Sequence, residues 1–175
     1  MSSTTVRTYD PQSPALQAQR KALTSGFKFV LYMLFRLPTA IWWGLRVKSC
    51  TYQRSEITLP YGWRTQNPYK SIYFAAQAGA AELSTGVLAS LAIQNRGCRI
   101  SMLVRQIECE FVKKANSLTT YTCEDGEAVL ETIQKAIDTG EGHTVTMTST
   151  GVQTNGEVVS QFKVTWSFKV KTSKS

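Results

Sequence analysis

Apolar residues recur along the chain with two periods. From about Pro14 to Phe35, Leu16, Leu23, Phe27, Val30, Leu31 and Leu34 return at spacings near three, four and seven, which predicts a helix with that face packed inward. It ends at Leu37-Pro38, where proline forces the preceding residue out of helical geometry. A Val-, Thr- and Tyr-rich strand is expected from about Arg46 to Leu59, closed by Pro60. Turn chemistry follows at Tyr61-Gly62 and Asn67-Pro68. Tyr69 to Asn95 then carries one charge, Glu82, between Lys70 and Arg96. Ile72, Ala76, Leu83 and Val87 form one stripe, and the other faces hold Ala and Gly. A helix apolar nearly all round is a buried helix.

Strands dominate the rest. Arg99 to Lys113 alternates, but its apolar parity switches from Ile100, Met102 and Val104 to Ile107, Cys109 and Phe111, which predicts a bulge or a strong twist. A strand is expected at Leu118 to Cys123. A short helix opens at Asp125-Gly126 with Val129, Ile133 and Ile137 on one face and Gly140 beyond its end. His143 to Thr150 and Glu157 to Lys171 complete the chain as strands. In the last, Val158, Phe162, Val164, Trp166, Phe168 and Val170 share one parity, as in a sheet buried on one face. The organisation expected is a mobile tail over 1–13, an N-terminal helical segment over 14–45, an α+β domain over 46–171, and a tail over 172–175.

Composition narrows the partners. The formal charge is +8, from 20 basic and 12 acidic residues, which favours an anionic partner. The basic residues are scattered, with no run longer than adjacent pairs such as Lys113-Lys114, so the stripe that marks nucleic-acid modules is missing and no nucleic acid is expected. Phe27 to Leu45 is strongly apolar, yet Lys28, Arg36 and Pro38 interrupt it. A spanning helix needs roughly 20 apolar residues with few charges. Docking on the domain is favoured over lying on a membrane surface, and Trp42 and Trp43 suit either. Cys50, Cys98, Cys109 and Cys123 include no Cys-x-x-Cys pair, and His143 is the one histidine, so no metal site is expected. Met1 to Asp10 has no signal-peptide core, and a cytoplasmic chain with reduced thiols is the simplest expectation.

Three stretches carry a resemblance: Asn67 through Gly86 (NPYKSIYFAAQAGAAELSTG), Ile107 to Ala115 (IECEFVKKA), and the alternating pair of C-terminal strands. Their order resembles the hotdog fold, in which a curved antiparallel sheet wraps a long central helix, here with an N-terminal helix added. Within that superfamily the chain is similar to acyl-CoA thioesterases of the phenylacetyl-CoA type. Their motif has a loop Asn, a His-Gly-Gly at the helix start, and an Asp or Glu about two turns later. Asn67 matches the first element, and Glu82, fifteen positions on, matches the last. Tyr73-Phe74-Ala75 stands where His-Gly-Gly belongs, so the backbone approach that the glycines permit is obstructed. The resemblance implies a homodimer, an acyl-CoA or other acyl thioester as substrate, and no cofactor.

Each candidate residue has two readings. Glu82 in apolar surroundings would have a raised pKa and could serve as general base on water, or it is a partly exposed helix glutamate or one satisfied structurally by an arginine. Asn67 could polarise a thioester carbonyl or orient Glu82, or it organises the turn before Pro68. Gln77 and Ser84, sharing a face with Lys70, could line a polar cleft or a solvated seam. Tyr73 and Phe74 pack in the core or narrow an acyl tunnel. Arg64, Lys113 and Lys114 meet the phosphates of CoA or simply solubilise the surface. The alternative to thioester hydrolysis is a non-catalytic acyl- or lipid-binding module.

Overall fold

A computed structural model describes residues 7–171; the predicted tails over 1–6 and 172–175 lie outside the described residues. Three helices come first: α1 (Pro14–Thr24), α2 (Gly26–Arg36) and α3 (Pro38–Trp42). A hairpin of β1 (Arg46–Cys50) and β2 (Ser55–Leu59) follows, then the long α4 (Phe74–Ile93). β3 (Ile100–Phe111), β4 (Thr119–Cys123), α5 (Gly126–Thr139), β5 (His143–Gln153) and β6 (Val158–Val170) complete it. The six strands form one sheet in the order β1-β2-β4-β5-β6-β3, with every pairing antiparallel. The sheet wraps α4, which is the hotdog arrangement.

The predicted parity switch in β3 is a bulge: the register against β6 slips between Val104 and Gln106. Similar slips fall between Val47 and Ser49 and between Gly151 and Val152. Each extra residue bends its strand and increases the local twist, and together they give the sheet its curvature. The last slip also explains a miss at the start of β6. Val159 is buried and Val158 is exposed, the reverse of the extrapolated parity.

Sequence periodicity missed five other features. The single N-terminal helix is two, broken at Ser25, whose extended backbone interrupts the helical run. Its buried face on α2 is Phe29 and Met33, whereas Phe27, Leu31 and Leu34 are exposed. The strand over Arg46 to Leu59 is a hairpin, because Thr51 Oγ1 accepts from the backbone N–H groups of Gln53 and Arg54 and folds the chain back. α4 starts at Phe74, later than Tyr69, because Asn67 to Ser71 is held in a loop of its own. Arg7 to Ser13, expected to be mobile, is tied down: Arg7 N donates to Arg96 O at 2.9 Å, and the Arg96 guanidinium lies 5.2 Å from the Tyr9 ring centre.

α4 is buried on nearly every side, and its buried polar side chains, Gln77, Ser84 and Thr85, are matched by the sheet. Gln77 Nε2 donates to Ile72 O at 2.9 Å, while its Oε1 accepts from Tyr121 OH at 2.8 Å and Ser160 Oγ at 3.0 Å. At the helix midpoint, Ser84 Oγ donates to Ala81 O at 2.7 Å and lies 2.8 Å from Ser149 Oγ. Ser55 Oγ donates to Ser84 O at 2.5 Å, and Trp166 Nε1 to Thr85 Oγ1 at 2.9 Å. These pins come from β2, β4, β5 and β6. A second close approach lies at Gly126, where a Cβ would stand 2.0 Å from Tyr52 O, so any side chain would push α5 off the β1–β2 turn.

Gln77 is thus a core residue, and its substitution should act on stability. Gln77→Leu leaves the Tyr121 and Ser160 hydroxyls without their shared acceptor, which costs about 1–3 kcal/mol for a buried group of this kind. Urea titration of the variant should show that loss as a lower midpoint with an unchanged slope.

Candidate functional site

Two cavities flank α4, and they divide the predicted site residues between them. The first, about 490 Å³, lies between α2 and α4, with Met102 and Trp166 contributed by the sheet. Glu82 borders it, with Leu83, Gly86 and Val87 on the same helix. Glu82 also borders a smaller cavity of about 270 Å³ beside Trp43, Gly79 and Ile107. The second large cavity, about 730 Å³, is lined by Asn67, Tyr73, Phe74, Gln77, Lys113 and Lys114. Six of the eight predicted residues therefore meet in one place, and Glu82 and Arg64 are elsewhere. The Arg64 guanidinium sits at the turn after α3, 3.7 Å from where Gly44 would carry a Cβ.

Glu82 borders a cavity but not the one that Asn67 lines. It is half-buried, its carboxylate is in no ion pair among the described residues, and burial raises its pKa above 4.5. No arginine satisfies it. Its Oε1 lies along the helix toward Gly86, near the Trp166 ring. A carboxyl group that is desolvated and unpaired at a cavity wall is available to water or to a ligand.

Asn67 is partly committed to its loop. Its Oδ1 accepts from Tyr69 N at 2.9 Å and Ser71 N at 3.2 Å, the Asx-type turn that short amide side chains form. Lys70 takes a left-handed conformation, φ 58°, within that loop. Tyr73 and Phe74 are not core residues: they are 45% and 57% exposed and pack edge to face with ring centres 4.8 Å apart. They form an aromatic rim at the start of α4. Lys113 pairs with Glu157, and Lys114 Nζ donates to Tyr69 O at 3.1 Å. Gln77 lines the cavity, but the core network occupies its amide.

Sequence reasoning missed the α2 wall of the Glu82 cavity. Lys28, Tyr32 and Arg36 stand along it, and Phe29 and Met33 lie beside them. The signal was present: the three polar-tipped residues are spaced by four within an otherwise apolar run, which places them on one helical face. None of the three forms an ion pair among the described residues.

Several solved structures share this architecture. A protein of unknown function from Pseudomonas aeruginosa, described as a probable thioesterase, is 18% identical with a TM-score of 0.68, over 91% of this chain and 97% of that one. A putative thioesterase from Shewanella oneidensis is 12% identical with a TM-score of 0.69, over 86% and 99%. A thioesterase from Haemophilus influenzae is 10% identical with a TM-score of 0.56, over 94% and 93%. At such identities the likeness is one of fold. No curated protein sequence matches the chain. Residues 28–168 match a family model whose members are described as a domain of unknown function, and the chain, a hotdog-fold protein, belongs to that family, DUF4442.

Proposed function

We propose that this protein is an acyl thioester hydrolase, with an acyl-CoA or a similar acyl thioester as substrate. The observation that carries this reading is the unpaired Glu82 carboxyl at the wall of an apolar cavity of about 490 Å³. In its ionised form Glu82 takes a proton from water as the water oxygen adds to the thioester carbonyl. Collapse of the tetrahedral adduct breaks the C–S bond, and the departing sulfur recovers the proton. The products are a carboxylic acid and a thiol. Asn67 donates from its side-chain amide to the carbonyl oxygen, where negative charge develops. Lys113 and Lys114 offer positive charge beside the aromatic rim for the phosphates of CoA.

Asn67 and Glu82 line different cavities of one chain, so a site that uses both requires a second copy. β3 offers the edge for it. Its outer side is unpaired among the described residues, and Leu103, Ile107 and Phe111 are 65%, 43% and 44% exposed on this strand. An open apolar edge is a template for strand pairing. A homodimer joined through β3 extends the sheet and covers these side chains. Light scattering at micromolar concentration should give about twice the 19.5 kDa chain mass. A monomer under those conditions would rule out the shared site.

One feature favours a second reading, a non-catalytic acyl- or lipid-binding module. Tyr73 and Phe74 occupy the positions where the resembled enzymes carry His-Gly, and they narrow access to the start of α4. Glu82→Gln separates the two readings. It keeps the shape and removes the base, so turnover of a panel of acyl-CoA thioesters should fall about 10²-fold or more. A fully active variant removes Glu82 from the chemistry, and a wild type inert on every thioester leaves the binding module.

The raised pKa of Glu82 adds a pH signature. The folded chain holds this proton more tightly than the unfolded one. The resulting stabilisation is complete below 4.5 and is lost as pH rises through the folded-state pKa. Catalysis needs the other form, so the rate should rise over the same window. Paired thermal melts should show Glu82→Gln gaining on the wild type as pH increases from 4.5. Parallel curves would mean that Glu82 is not desolvated.

A further inference from the structure

α2 is apolar on two opposite sides, and only one of them is used by the fold. Phe29 and Met33 are buried, at 2% and 7% exposure. Opposite them Phe27, Leu31, Leu34 and Phe35 are 78%, 50%, 49% and 79% exposed. These four lie within about 100° of helical arc and so form one continuous stripe. Leu37 and Trp42 extend the exposed apolar run along the chain into α3, and Trp42 meets the exposed Trp63 ring edge to face at 5.6 Å.

Charge identifies what covers the stripe. Residues 11–55 contain seven basic residues and no acidic one, while the remainder of the chain holds 13 and 12. The net charge of the protein is therefore concentrated in the segment that bears the stripe. Within α1 to α3 the cations are Arg20, Lys21, Lys28 and Arg36, and none is in an ion pair among the described residues. A second copy of the chain would set its own basic segment against this one, with no acidic residue in 11–55 to pair the cations. An anionic lipid surface neutralises them and receives the aromatic and aliphatic side chains at the headgroup boundary. Spanning is excluded by length: eleven residues reach about 16 Å, against roughly 30 Å of hydrocarbon. No helix among the described residues is long and apolar enough to cross a membrane.

We infer that the outward face of α2 docks on an anionic lipid bilayer, with α2 lying in the interface plane. The other side of the helix is then the wall of the Glu82 cavity, so the docked protein holds that cavity one helix diameter from the lipid. This surface stands whether or not Glu82 acts on a thioester.

Vesicle co-sedimentation of the full chain tests it. The wild type should bind vesicles of phosphatidylcholine with phosphatidylserine and bind pure phosphatidylcholine at least tenfold more weakly. Raising salt from about 0.05 to 0.5 M shortens the Debye length and should release most of it. The double variant Phe27→Ser/Phe35→Ser lies outside the cavity lining and should lose binding by tenfold or more with an unchanged melting curve. Should that variant unfold, Leu31→Ser and Lys21→Glu supply the same comparison, the latter lowering affinity roughly tenfold by charge reversal. A wild type that ignores anionic vesicles, equal binding to neutral ones, or undiminished binding by folded stripe variants would each overturn the assignment. So would a wild-type dimer that these variants dissociate, because the stripe would then be a subunit interface.

Discussion

Burial of α4 is the constraint on which the rest of the molecule depends. A 20-residue helix cannot be enclosed by a sheet on one side and helices on the others unless its backbone can be approached closely. Ala76, Ala80, Ala81, Ala89 and Ala92 supply that approach, each buried to within 2%. Enclosure also leaves its polar side chains no water, so each must find a partner in protein. Gln77, Ser84 and Thr85 find theirs in Tyr121, Ser160, Ser149 and Trp166, which come from three different strands. Those bonds fix the axial position and the rotation of α4 within the sheet. The position of Glu82, two residues before Ser84, follows from them.

This rigidity gives Glu82 its chemical character. A mobile helix would let the carboxylate reach solvent or a lysine, and its pKa would relax. Pinned on either side, it stays at a cavity wall where burial is the cause of its raised pKa and no cation among the described residues pairs with it. An unpaired carboxyl in such a place is costly to keep charged. The buried polar side chains of α4, Gln77, Ser84 and Thr85, are satisfied, and Glu82 is not. Buried or half-buried groups that escape the general rule of satisfaction are the ones whose partner is expected from outside the chain.

How much of this the sequence disclosed depends on the kind of signal. The buried α4, the bulge in β3 and the one-sided β6 were legible because burial on a regular element leaves a period. Glu82 was legible because a lone charge in an apolar helix is conspicuous. The division of the candidate residues into two cavities was not, since Asn67 and Glu82 are linked in sequence by a motif spacing and separated in space by the path of the loop and helix. The Thr51 turn between β1 and β2 was also missed. Its cause is one hydroxyl bonding to the backbone, and it sits within a run whose composition is uniformly that of a strand.

The two faces of α2 mark where periodicity stops and side-chain size begins to matter. Both α4 and α2 are apolar around most of their circumference, and a hydrophobic pattern alone treats them alike. They differ in what the second face is made of. On α4 it is alanine and glycine, so the Trp43 and Trp166 rings come close and nearly the whole helix is enclosed. On α2 it is phenylalanine and leucine, which hold neighbouring backbone at a distance and would need a further layer of protein to cover them. A single sheet of six strands, already closed around α4, has no such layer to give. The exposed stripe on α2 is therefore a consequence of the same geometry that buries α4.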